Sequence, residues 1–233
     1  MSATAIFGST GLVGSHILST LLSSPAPTTL QTISRRAPKS TGPKLNAIVE
    51  PDTSLWTAKL GSLTPGPSTV ISALGTTRQQ AGGIANQWKI DHDLNVDIAK
   101  EAKARGVKTF VFVSSTGTRG FMSNHVPYSK MKIGVEDTVK DLGFENAIIL
   151  RPGLIMGDRE VAHQGAWLVG GLVGALGKIA GQGAVDKMGQ DADVIAKAAV
   201  HAARIAEEGK APQKFWVLEQ ADIVRLGRTE WKE

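Results

Sequence analysis

Close to its start the chain spaces three glycines evenly, as Gly8-Ser9-Thr10-Gly11-Leu12-Val13-Gly14, between an apolar run at residues 4–7 and a helical pattern reaching about residue 23. A strand can pass into a helix through so tight a turn only where side chains are missing at the crowded points. The first glycine permits the turn, the second lets backbone approach a bound pyrophosphate, and the third lets the helix pack on the strand. The helix start then offers free N–H groups and a partial positive charge to phosphates. Few folds accommodate such a beginning.

The rest of the chain repeats the same alternation. Strand-like runs at residues 29–33, 45–49, 69–73, 109–113 and 147–150 are separated by helical patterns, which predicts βαβ units in a parallel sheet. A helix is expected over residues 86–105 with a stop at Gly106, and another over 128–142 with a stop at Gly143. Asp52 stands as a helix N-cap before an amphipathic stretch ending near residue 60. Past Arg151 the pattern changes to a glycine-dense apolar stretch at 166–180, an amphipathic helix at 192–207 and a late strand at 214–218. The expected fold is α/β, a Rossmann-type doubly wound parallel sheet forming one domain over residues 1–233. Residues 152–233 are expected to contribute a small C-terminal substrate lobe.

Composition closes off several alternatives. Cysteine is absent, which excludes disulfides, thiolate catalysis and cysteine-ligated metals, and the five histidines never fall at metal-ligand spacing, so no metal site is expected. The net charge of +5 is dispersed except for short clusters at 35–44 and 100–108, unlike the concentrated face of a nucleic-acid binder. No run approaches the ~18 consecutive apolar residues of a membrane-spanning helix. Residues 1–24 lack acids, as transit peptides do, but they also lack arginine and carry the glycine turn, so cleavage would destroy the fold. Targeting is therefore expected to use a signal that is not removed.

The end of the second strand reads Ile33-Ser34-Arg35-Arg36 with no acid in reach. A carboxylate there would bind a ribose 2′-hydroxyl, whereas an arginine fork accommodates a 2′-phosphate, so NADP(H) is the expected cofactor. Asp52 could meet the adenine amine, although helix capping explains it equally well. The strongest strand ends in Ser114-Ser115-Thr116, and Tyr128-Ser129-Lys130-Met131-Lys132 follows, with Tyr128 thirteen residues after Ser115. Tyr128, the only tyrosine, and Lys132 are four apart and share a helix face. A lysine ammonium beside a phenol favours the phenolate, so the tyrosine can exchange a proton with a substrate oxygen while a serine hydroxyl holds that oxygen.

These residues together resemble the short-chain dehydrogenase/reductase superfamily, and the GxxGxxG spacing resembles its extended and atypical branches. Ala73-Leu74-Gly75-Thr76-Thr77-Arg78 and the segment Arg151-Pro152-Gly153-Leu154-Ile155-Met156-Gly157-Asp158-Arg159 are similar to those of the Tat-interacting oxidoreductase group, above all its fungal relatives assigned to the mitochondrial outer membrane. The resemblance implies a Ser–Tyr–Lys site at Ser115, Tyr128 and Lys132. It implies that Ala73, Leu74, Gly75 and Thr76 line the middle of the cofactor, beside Ser114, and that Pro152, Gly153 and Leu154 cover its nicotinamide side. It also implies a protein at the mitochondrial outer membrane, peripherally held, or in the cytoplasm. Asp91 stands where many extended members carry an asparagine, with Asn95 one turn on, which departs from the family's helix-borne proton relay. Which of Ser114, Ser115 and Thr116 is the active hydroxyl is not fixed by spacing; Ser115 is the expected one.

Two functional expectations follow. The first is an NADPH-dependent reductase of a small, apolar carbonyl substrate. The alternative is an NADPH-binding regulatory or scaffold protein with little turnover, acting at a membrane surface or with a protein partner. It is suggested by the apolar stretch 167–180, where Trp167, Leu168, Leu172, Val173 and Leu176 could lie in a membrane interface instead of packing inside. Residues 119–127, between serine and tyrosine, read as a surface loop near the substrate. Monomer and homodimer are both compatible with the sequence.

Overall fold

The computed structural model describes residues 3–25, 29–120, 126–157 and 189–232. The apolar stretch 167–180 and residues Asp158 and Arg159 lie outside them.

Strand β1 (Ala3–Phe7) enters the glycine turn and α1 (Leu12–Ser23), and β2 (Thr29–Ser34) and β3 (Leu45–Val49) follow. After α2 (Trp56–Gly61) come β4 (Thr69–Ser72), α3 (Ile84–Trp88), α4 (Leu94–Ala104), β5 (Thr109–Val113), α5 (Pro127–Asp141) and β6 (Asn146–Leu150). The short β7 (Leu154–Met156) and β8 (Gly189–Asp191) pair with each other, and the described C-terminal part adds α6 (Ala192–Glu207), β9 (Phe215–Leu218) and α7 (Gln220–Val224). The main sheet has seven parallel strands in the order β3-β2-β1-β4-β5-β6-β9. Strand order reverses between β1 and β4, where an open α/β sheet leaves a crevice beyond its strand ends.

Both faces of the sheet are covered, which is why its strands read as continuous apolar runs. Alternate side chains go to opposite layers: Val111 and Val113 of β5 join Ile6, Ile17 and Ile71 beneath α1 and α6. Phe110 and Phe112 join Phe7, Trp56, Ile98 and Val135 beneath α2, α4 and α5. Helix α6 buries seven alanines within a run whose small side chains let neighbouring backbone come close. A Cβ at Gly227 would stand 2.0 Å from the Val194 carbonyl oxygen. The described C-terminal residues thus extend the main sheet through β9 and its helical layer through α6.

The helices end where their glycines allow. Gly106 and Gly143 take φ of +75° and +62°, the left-handed geometry that closes a helix C-terminus. Pro127 opens α5 at a position where its missing N–H costs nothing. The helix expected over 86–105 is present but not uniform: Lys89–Asp93 forms a π-turn between α3 and α4. Asn95 donates from Nδ2 to the carbonyls of Ile90 (3.1 Å) and Asp91 (3.2 Å), satisfying groups that the wider turn releases. Periodicity alone did not reveal this insertion, nor the β7–β8 pair.

Candidate functional site

The turn between β1 and α1 is built from close backbone approaches. Gly8 adopts φ +82°, and a Cβ there would lie 2.6 Å from the Ala73 carbonyl oxygen; at Gly14 a Cβ would lie 2.0 Å from the Gly8 oxygen. A Cβ on Gly11 would meet only the Gly8 oxygen, at 3.2 Å, and Gly11 lines a cleft of about 690 Å³. The start of α1 has neither a side-chain cap nor an acidic residue in its first turn, so its positive end is uncompensated there. Ser9 is 1% exposed, and its hydroxyl has no hydrogen-bond partner among the described residues. An orphaned hydroxyl, an open glycine and an uncapped helix start fit the phosphates of a dinucleotide.

The same cleft is lined by Leu12, Val13, Ala73, Leu74, Gly75, Thr76, Ser114, Tyr128 and Lys132, gathering the ends of β1, β4 and β5 with the first turns of α5. At its β2 end an adjoining cavity of about 400 Å³ is lined by Ser9, Thr10, Ser15, His16, Ser19, Arg36, Lys39 and Ser40. Arg36 reaches back to the Thr10 carbonyl at 3.4 Å, and Ser34 holds the Arg36 carbonyl with a 2.7 Å hydrogen bond. Of the two arginines singled out in the sequence, Arg36 lines the cleft and Arg35 does not. Lys39 and His16 were missed, although Lys39 belongs to the basic cluster already noted. Asp52 caps the 3-10 turn Thr53–Leu55 by accepting from the Ser54 N–H (2.9 Å) and hydroxyl (2.7 Å), and it is not among the cleft residues.

Tyr128 is 38% exposed and Lys132 3%, as expected one turn apart on a helix that dips into the core. The Lys132 ammonium donates to the Val113 carbonyl at 3.1 Å and stands 4.7 Å from the centre of the buried Phe112 ring. Asp91, wholly buried in the π-turn, accepts from the Thr76 N–H at 2.7 Å and from Gln87 at 3.2 Å. A Cβ on Gly75 would be 3.9 Å from both the Asp91 carboxylate and the Lys132 ammonium, so the two charges flank the same glycine. Burial pushes the Asp91 carboxyl above its ordinary value, and the Lys132 charge and these hydrogen bonds offset only part of that.

Of the strand-end hydroxyls, Ser114 lines the cleft, and its proton is donated to Glu136 at 2.6 Å. Ser115 does not line it; its Oγ lies 3.4 Å from the Thr116 carbonyl. Ile155 of β7 reaches the cleft, whereas Pro152, Gly153 and Leu154 do not. Gly153 is instead pinned through its N–H to Gln190 at 2.7 Å, and the Pro152 carbonyl accepts from Thr116 N–H at 2.8 Å.

Behind this wall lies a cluster that motif reading overlooked. Glu136 is fully buried on α5, one turn beyond Lys132, and accepts from Ser114, from Arg151 at 3.1 and 2.6 Å, and from Arg119 at 3.1 Å. Arg119 also pairs with Asp137, and Arg151 with Glu219 at 2.9 Å. Burial alone would raise the Glu136 carboxyl, but the bonds from Arg151, Ser114 and Arg119 outweigh it and hold the group below its usual range. The available signal was a carboxylate on the buried face of the tyrosine helix, with Arg151 immediately after β6.

Comparison with known proteins gives the family and the fold. The HIM1 family model matches residues 38–168. The mitochondrial protein FMP52 of Chaetomium globosum is 62% identical over 233 residues, covering 100% of both chains. Among solved structures, a short-chain dehydrogenase/reductase of Saccharomyces cerevisiae superposes with TM-score 0.69 at 15% identity, over 97% of this chain and 99% of that one. The UDP-Glc/GlcNAc 4-epimerase of Campylobacter jejuni gives 0.68 at 14% identity, over 97% and 82%. At such identities the structural likeness shows the fold, the Rossmann type expected from the glycine turn.

Proposed function

The chain belongs to the HIM1 family, and we propose that it is an NADP(H)-dependent reductase that delivers a proton from Tyr128 to the carbonyl oxygen of a small substrate. One observation carries this reading: Thr10, Gly11, Leu12 and Val13 of the glycine turn line a single cleft with Tyr128 and Lys132. When bound, NADPH supplies a hydride. Ser9, Thr10, Gly11 and the start of α1 would hold its pyrophosphate, with Gly8 shaping the turn from behind. Arg36, with Lys39 beside it, would take the 2′-phosphate, for which an arginine fork is suited and a carboxylate is not.

Tyr128 then donates its hydroxyl proton to the substrate oxygen as negative charge develops there. Lys132, fixed by Val113 and facing Asp91 across Gly75, places a positive charge where it stabilises the resulting phenolate and can bond the nicotinamide ribose. A strand-end hydroxyl orients the carbonyl. Ser114 stands at the wall but gives its proton to Glu136, whereas Ser115, the donor expected from the sequence, holds its proton only by a long bond and does not line the cleft, so neither is singled out as the donor. Relatives named mitochondrial support a mitochondrial location, proposed as peripheral at the outer membrane. No helix among the described residues is long and apolar enough to cross a membrane.

The test is NADPH oxidation over a panel of aldehydes and ketones by wild type and Tyr128→Phe. Turnover should fall by about 10²- to 10⁴-fold in the variant while NADPH binding is retained. Full turnover by Tyr128→Phe would remove the mechanism. A wild type that binds NADPH yet reduces no carbonyl would leave a nucleotide-binding protein without this activity.

A further inference from the structure

The cleft is lined by His16, Arg36, Lys39, Arg78 and Lys132 against one carboxylate, Asp91. Two of these cations, Arg36 and Lys39, recur with His16 around the smaller cavity beside Ser9 and Thr10, the part suited to the adenosine phosphate. Lys132 is buried and bonded. Arg78 is different: it does not line the smaller cavity, it is exposed, and its side chain has no ion-pair or hydrogen-bond partner among the described residues.

Its backbone, by contrast, is tightly specified. The Arg78 carbonyl accepts from the Gly83 N–H at 2.9 Å, the Thr77 carbonyl from Ala81 at 2.9 Å, and the Thr77 hydroxyl from the Gln80 N–H at 3.2 Å. Gly82 and Gly83, at φ +72° and +142°, supply backbone angles that other residues rarely adopt. The loop is tied to the π-turn at its start, where Thr76 donates to Asp91 and accepts from Gln87, and at its end, where Asn86 bonds the Ala81 carbonyl. Arg78 therefore lines, from a fixed base, the same cleft as Tyr128, outside the smaller cavity beside Ser9 and Thr10. Fixing the base lowers the entropy lost when a partner is gripped, and the planar fork matches the two oxygens of a carboxylate or phosphate.

We propose that Arg78 is the substrate's anion anchor, so that the preferred substrate is a carbonyl compound bearing a carboxylate or phosphate. This rests on the reductase reading for its site but departs from the apolar substrate expected from sequence.

The test uses matched probes on the NADPH-loaded protein: benzaldehyde against 4-carboxybenzaldehyde, and glyceraldehyde against glyceraldehyde 3-phosphate, with binding read by calorimetry. At least one anionic member should bind about 10- to 100-fold more tightly than its neutral partner, the range expected of a charge-assisted pair, and the stronger pair identifies which anion is taken. Arg78→Gln should abolish the preference with NADPH affinity and melting temperature unchanged, and Arg78→Lys should restore part of it. Absence of a preference in both pairs overturns the proposal, as does its survival in Arg78→Gln. Loss of NADPH affinity in that variant overturns it too, by assigning Arg78 to the cofactor. Because the readout is binding, the anchor is tested equally well in a protein without turnover. Should NADPH itself fail to bind, the same titrations on the protein alone are decided by the same criteria.

Discussion

The glycine turn and the tyrosine helix line the same cleft, yet different forces hold them. At the turn, backbone meets backbone: Gly8 against Ala73 and Gly14 against Gly8, at separations that leave no room for a Cβ. Such packing is steric, so pH and salt barely alter it. The wall bearing Tyr128 and Lys132 leans instead on ions, the buried Glu136 with the partly buried Arg151 and the exposed Arg119 on one side and Asp91 facing Lys132 on the other. Its geometry depends on charge states. One cleft thus joins a rigid backbone cradle to a wall whose positioning can be titrated.

That contrast can be broken by substitution. The largest effect is expected at Glu136→Gln, which leaves Arg151 facing an uncharged partner in a buried site; a loss of about 3–5 kcal/mol in urea unfolding is expected. The folded-state pKa of Glu136 is lowered, so its contribution is present above the unfolded value and is lost as pH falls through the folded one. The variant should therefore lose less further stability in acid than wild type does. A cost under about 1 kcal/mol, typical of a surface pair, would mean that the cluster does not hold the wall.

Gly14→Ala should rank next, at about 1–3 kcal/mol from overpacking, with the same cost at pH 5 and pH 8 and with weakened NADPH binding. A strongly pH-dependent cost would show that the cradle is not purely steric. Asp91→Asn should be the mildest in stability, within about 1 kcal/mol at neutral pH. Its folded-state pKa is raised, so wild type loses stability as pH rises from the unfolded value through the folded one, and the asparagine variant escapes that loss. Urea midpoints of the two proteins should therefore shift in the variant's favour across that interval. A shift the other way would mean that the Lys132 attraction dominates burial.

How much of this the sequence discloses follows from the same division. The turn was legible because most of its requirement is local: Gly11 and Gly14 meet the Gly8 carbonyl within seven residues and Gly8 itself needs a positive φ, although Gly8 also abuts Ala73 beyond β4. Tyr128 and Lys132 were legible for a similar reason, since one helical turn relates them. Glu136 was not, because its partners Ser114, Arg119 and Arg151 come from other segments and meet it only in the folded chain. The π-turn escaped notice because it is sustained by the Asn95 side chain and not by a break in apolar periodicity. At the β2 end of the cleft, a dipeptide of arginines could be read but not oriented; only the fold distinguishes Arg36, on the cleft, from Arg35, away from it.

The central claim is that the cleft takes NADP(H) through its basic β2 end. Calorimetric titration of the purified protein with NADPH and with NADH, under identical salt, tests it most directly. Contacts from Arg36 to a 2′-phosphate should favour NADPH by about 10- to 100-fold, the worth of a charge-assisted hydrogen bond or two. Equal affinities, or a preference for NADH, would contradict the assignment.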